Sequence, residues 1–149
     1  MEKKYDLSRF VSAQERDYKD ALKEITNGRK QSHWMWYIFP QIKGLGMSYI
    51  SKYYGIENLE EAVEYLQEPY LKNNLITICN VLLSLETDNP TKVFGIPDDM
   101  KLKSSMTLFA CANPEETVFQ AVLDKYFGGI PDYKTMKILE LEGNEIGQK

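Results

Sequence analysis

The sequence predicts an all-α protein, a single-domain irregular helical bundle of about eight helical segments, several of them short. Three observations carry that expectation. Apolar residues recur at helical spacing in most segments. Proline or a capping residue opens segment after segment, and glycine closes many of them. No two stretches show the apolar–polar alternation of a half-buried strand pair. Signals at several levels agree, as they do in a sequence that specifies one bundle.

Length and composition fit. The chain has 149 residues, 43% hydrophobic and 27% charged, ordinary values for a globular domain. A domain of this size buries roughly 70% of the surface its unfolded chain exposes, so it needs no disulfide or metal staple. One domain over 1–149 is expected, with residues 1–5 and 142–149 frayed. The net charge of −4 argues against electrostatic capture of nucleic acid or of an anionic membrane. Cys79 and Cys111 each sit among apolar residues and read as reduced core thiols. The opening MEKKYDLSRF has no apolar run behind it, so no secretory leader is expected. No stretch approaches the ~20 apolar residues of a membrane span. A cytoplasmic location is the expectation.

The elements follow in order. Asp6 or Ser8 caps a short first helix carrying Leu7, Phe10 and Val11. A second helix runs from Glu15 to Thr26, with Tyr18, Ala21, Leu22 and Ile25 on one face and Asn27-Gly28 as its stop. Gln31 to Phe39 is continuously apolar from Trp34 onward. With no partner strand in sight it reads as a helix, ended by Pro40. Gln41 to Met47 is a loop, and Ser48 caps a short helix to Tyr54, stopped by Gly55. Asn58-Leu59-Glu60-Glu61 resembles a capping box. Pro69 opens a helix to about Glu86. A short turn at Val93-Phe94 closes at Gly95. Pro97 with Asp98 and Asp99 opens a helix to Asn113. Asn113-Pro114-Glu115-Glu116 reads as the start of another, ended by Gly128-Gly129. Asp132 caps a last helix to about Leu141.

Chemistry-bearing constellations are few. One histidine and two distant cysteines cannot make a zinc site, and no EF-hand spacing occurs. No metal site and no cofactor are expected. Lys43-Gly44-Leu45-Gly46-Met47-Ser48 is a glycine loop running into a helix start, where backbone N–H groups can cradle an anion. The same loop also reads as glycines needed for their dihedrals and a serine cap. His33 can serve as a donor and acceptor for a sugar or a base edge, or as a packed residue beside the tryptophans. Lys101 lies over Ser104 and Ser105 at helical spacings of three and four. These hydroxyls either line a pocket or bond back to helix carbonyls. Trp34 and Trp36, with Tyr37, Phe39, Tyr49, Tyr53 and Tyr54, are core residues or platforms for a flat ligand.

The blocks HWMWYIFPQIKGLGMSYISKYYGI, LEEAVEYL and KVFGIPDDMKLKSSMTLFA resemble those of the bacterial family called domain of unknown function 1810. The resemblance runs from about Leu7 to about Leu139. It implies a mainly helical single-domain fold with a central helix, and it brings no established activity. Some members carry the label calpastatin. Calpastatins are disordered and polar, and a chain with patterned, capped helices does not fit that description.

The functional expectation is therefore a small-molecule binder for a nucleotide or ADP-ribose-like ligand. Its candidate ligand residues are His33, Trp34, Trp36, Gln41, Lys43, Gly44, Gly46, Ser48, Lys101, Ser104 and Ser105. If the protein is an enzyme, hydrolysis or transfer of a glycosidic bond is the expected class, with Glu57, Asp98 and Asp99 as nearby carboxylates. The expected partner is a small anionic or nucleotide-like molecule, not a nucleic acid or a membrane. The alternative is a non-enzymatic interaction module that uses an exposed aromatic patch.

Overall fold

A computed structural model of the chain describes residues 5–147, with side chains through residue 141. Among the described residues it contains nine helices and no strand: α1 (Ser8–Thr26), α2 (Met35–Ile38), α3 (Tyr49–Tyr54), α4 (Leu59–Gln67), α5 (Pro69–Ser84), α6 (Pro90–Phe94), α7 (Asp98–Ala112), α8 (Val118–Phe127) and α9 (Tyr133–Gly147).

Helix α7 is the hub, packed against α4, α6, α8 and α9. Its six consecutive residues Ser104 to Phe109 are all buried, so it has no solvent face there. A surface helix shows an apolar stripe, whereas a helix enclosed by neighbours buries every side. The second packing unit is α1 against α5 and α2. A ladder of rings, Phe10–Tyr65–Phe109–Phe119, ties α1, α4, α7 and α8 together at centroid distances of 5.3, 5.1 and 5.8 Å. Buried Gln14 crosses the same region. Its amide nitrogen donates to Tyr37 O (2.8 Å) and to the Tyr65 hydroxyl (2.9 Å), and its oxygen accepts from Asn74 (3.0 Å). A buried amide with its donors and acceptor engaged fixes the relative placement of four elements.

Several caps behave as expected. Ser48 Oγ accepts from Ser51 N (3.2 Å), and Asn58 Oδ1 from Glu61 N (2.9 Å). The Glu61 carboxylate reaches back one residue further than a capping box requires, to Glu57 N (2.6 Å), and also pairs with Arg9 (2.9 Å). Asp132 Oδ2 accepts from Thr135 N (2.9 Å).

Four expectations need correction. The two N-terminal helices are one, α1, because Ser12-Ala13-Gln14 holds no breaker and Ala13 and Gln14 are buried on its inner face. The Gln31–Phe39 helix shrinks to α2, because the N–H groups of Gln31 and Ser32 go to Glu24 rather than to helix carbonyls. Asn113 ends α7 instead of starting α8. Its N–H closes on Phe109 O (3.0 Å), and residues 114–117 form the turn between two packed helices. Helix α9 continues past Leu141 to Gly147. Of the ends expected to fray, residues 1–4 and 148–149 lie outside the described residues.

Candidate functional site

The tryptophan stretch divides at Trp34. That indole is 1% exposed and packs between Phe39 and Phe94. Its Nε1 donates to Glu24 Oε1 (2.9 Å). The same carboxylate accepts from Gln31 N (2.7 Å), Ser32 N (2.9 Å) and Ser32 Oγ (2.6 Å). Burial alone would raise the pKa of Glu24, but these hydrogen bonds outweigh it and hold the group at about 2. His33 is exposed on this turn. Trp34 and His33 thus belong to a loop clamp, and the Glu24 and Gln31 of that clamp line a recess of about 410 Å³.

Trp36 faces the other way. The Lys101 ammonium stands 5.0 Å from its ring centroid, as the Lys30 ammonium does from Trp34. Asp98, at the start of α7, bridges both lysines, at 2.9 Å to Lys30 and 3.3 Å to Lys101. Two ammonium groups share one carboxylate, so the three side chains together keep one positive charge.

The glycine loop is fixed at its two ends. Lys43 N donates to Ile56 O (2.7 Å) and Ile56 N to Gln41 O (2.8 Å), the isolated bridge Ile42–Ile56. Gly44 has φ +106°, a left-handed value that side chains resist. A Cβ on Gly46 would fall 2.6 Å from Ser51 Oγ, so only glycine lets α3 approach so closely. Ser48 spends its hydroxyl on the α3 cap and on Ser51 Oγ (2.8 Å). Lys43 is exposed and pairs with Glu57 (3.2 Å) in a different surface recess, beside Arg9 and Lys52.

The fold does bring the loop and the Lys101 helix together. They border a cleft of about 610 Å³. Gln41, Gly46 and Ser51 form one wall, Lys101, Lys103 and Ser104 of α7 the second, and Asp132, Tyr133 and Lys134 at the start of α9 the third. Three lysines and one aspartate line it, the Lys101 ammonium resting on Asp98 and Trp36 and the Lys103 ammonium 5.8 Å from the Phe127 ring centroid. Tyr133 is 74% exposed, and Met100, also exposed, adds apolar surface. Beneath lies a buried polar chain. Ser104 Oγ and Thr135 Oγ1 are 2.9 Å apart, and Thr135 Oγ1 donates to Asp132 Oδ2 (2.7 Å). Thr107 Oγ1 donates to Lys103 O (2.8 Å) and accepts from Asp132 N (2.8 Å).

Of the residues singled out from sequence, Gln41, Gly46, Lys101 and Ser104 border this cleft. Trp36 and Gly44 adjoin it through a water-sized recess that shares Gln41, Gly46 and Ser51. His33, Trp34, Lys43 and Ser48 lie elsewhere. Ser105 is fully buried, about 100° round the helix from Ser104, and its hydroxyl has no partner among the described residues. Sequence reasoning gave Lys103 no role beside Lys101 and Ser104, passed over Ser51, Tyr133, Lys134 and Thr135, and read Asp132 only as a cap. The usable signal was Asp132-Tyr133-Lys134 at a helix start, where backbone N–H groups favour anions.

No group of three or more His, Cys, Asp or Glu among the described residues is arranged to hold a metal ion. No described helix is long and apolar enough to cross a membrane. Residues 4–139 match the family model described as "Protein of unknown function (DUF1810)". The crystal structure of the conserved hypothetical protein Rv1873 from Mycobacterium tuberculosis is similar, with a TM-score of 0.90 at 43% identity, covering 93% of this chain and 99% of that one. No curated protein matches the chain.

Proposed function

The chain belongs to the DUF1810 family of proteins of unknown function, and from the geometry of its cleft we propose that it binds a small anionic, nucleotide-like ligand there. The observation that carries this is the lining itself. Lys101, Lys103 and Lys134 all line one cleft of a protein whose net charge is −4. Charge concentrated against the overall balance raises the local concentration of an anion. The volume falls in the range of small-molecule sites, about 300–1,000 Å³. The exposed Tyr133 ring gives a flat base or sugar a surface to rest on.

The carboxylates favour binding over bond cleavage. Glycosidic hydrolysis needs a pair of them flanking the scissile bond. Asp132, in the cleft lining, already caps α9 and holds Thr135. Asp98 is engaged by two lysines, Asp99 accepts from Thr91 Oγ1 (2.7 Å), and Glu57 lies beside Lys43.

A thermal-shift series with AMP, ADP, NAD and ADP-ribose at millimolar concentration tests the reading. At least one should stabilise the fold, since a ligand at 100 times its dissociation constant adds about 2.7 kcal/mol. Lys101→Ala and Lys134→Ala should weaken the shift, and Lys43→Ala should leave it unchanged. If none of the four compounds moves the transition, the reading fails.

Of the two tryptophans the interaction-module alternative could use, Trp34 is buried and Trp36 half-buried. What favours it is a different patch, Tyr49 stacked on Tyr53 (6.2 Å) beside Met47, all exposed.

A further inference from the structure

The hydrogens beneath the cleft can be assigned one by one. Asp132 Oδ2 is a carboxylate oxygen and only accepts. Thr135 Oγ1 lies 2.7 Å from it and carries a single hydrogen, so that hydrogen points to Asp132. Thr135 Oγ1 therefore has none left for Ser104, 2.9 Å away, and the hydrogen between those two hydroxyls belongs to Ser104. The order Ser104→Thr135→Asp132 follows from one hydrogen per hydroxyl. Thr135 is fully buried, whereas Ser104, 2% exposed, borders the cleft. No described group donates to Ser104 Oγ.

From this we infer that Ser104 offers the cleft lone pairs only and reads a hydrogen-bond donor on the ligand, which makes the ligand a sugar phosphate rather than a bare anion. The inference rests on the anion-binding reading above and adds a polarity to it. The ammonium groups of Lys101, Lys103 and Lys134 recognise the phosphate. Ser104 stands one helical turn from Lys101, so Cβ atoms about 5–6 Å apart separate the two features. A sugar hydroxyl, a few bonds from its phosphate, spans that gap. An inorganic phosphate keeps its P–OH hydrogens on the phosphorus that the lysines hold, too close to it to span that gap. The amine of a nucleobase lies at the far end of a nucleotide.

The probes are AMP and its 2′,3′-dideoxy analogue, compared by calorimetry on the full chain. The wild-type protein should bind AMP about fivefold more tightly, the net worth of one hydrogen bond between uncharged groups. Ser104→Ala should remove the preference by weakening AMP alone. Equal binding of the two probes by the wild-type protein overturns the role of Ser104 while leaving the anion site standing. A preference that survives in Ser104→Ala does the same. If neither probe binds, the anion reading falls, and this inference falls with it. The wild-type comparison decides the matter even where a variant does not fold.

Discussion

Two carboxylates organise two polar networks in this molecule, and they do opposite things with similar parts. Glu24 gathers two backbone N–H groups, a serine hydroxyl and the Trp34 indole. Every one of those donors comes from residues 31–34, so the network closes on itself and pins a loop. Asp132 gathers Thr135 N and Thr135 Oγ1, and through Thr135 it orients Ser104 on another helix. That chain ends at a cleft wall. A carboxylate whose donors all come from one short stretch pins that stretch. One whose donors lead to a concave surface passes its polarity on to whatever enters.

The comparison can be broken at three points, in decreasing order of effect on stability. Trp34→Ala removes the ring at the centre of the closed network and should cost about 3–5 kcal/mol in urea unfolding, as large-to-small core changes do. Retention of full stability would mean that Trp34 is not the clamp described. Glu24→Ala should cost about 1–2 kcal/mol, at the low end for charge-assisted bonds because the carboxylate is half exposed. Its pH signature has a definite sign. The folded-state pKa of about 2 lies below the ordinary value of 4.5. The stabilisation is therefore fully present above pH 4.5 and is lost as pH falls from there towards 2. Acid titration of the wild-type protein should show that loss, and the slope of stability over this window should flatten in Glu24→Ala. Asp132→Ala should cost least, about 1 kcal/mol for a lost helix cap. It should nonetheless change discrimination between AMP and its dideoxy analogue, which Glu24→Ala should not. Equal behaviour of the two variants in that binding assay would erase the distinction drawn between the networks.

Much of the fold was legible because its signals are local. Ser48, Asn58 and Asp132 cap the helices they were expected to cap, and Pro69 opens α5. Errors arose where a distant group took a local one. Gln31 and Ser32 looked helical until Glu24, seven and eight residues away, claimed their N–H groups. Trp34 and His33 drew attention as an unusual cluster, yet the indole serves the core and the imidazole points to solvent. Lys101 and Ser104 stood out because hydroxyls and an ammonium interrupt an apolar helix. Tyr133, Lys134 and Thr135 did not, because each is an ordinary residue near a helix start.

The sequence by itself determined the helical class, most element boundaries, the family resemblance and the polar interruption of α7. These depend on period, capping and composition, all of which act over a few residues. The tertiary structure alone decided which tryptophan is buried, that Lys30 joins Lys101 at Asp98, and that α9 closes the third wall of the cleft. It also decided the direction of the hydrogen bonds from Ser104 to Asp132. That direction depends on three side chains from two helices, Ser104 and Thr135 being 31 residues apart, and no spacing along the chain encodes a contact of that kind.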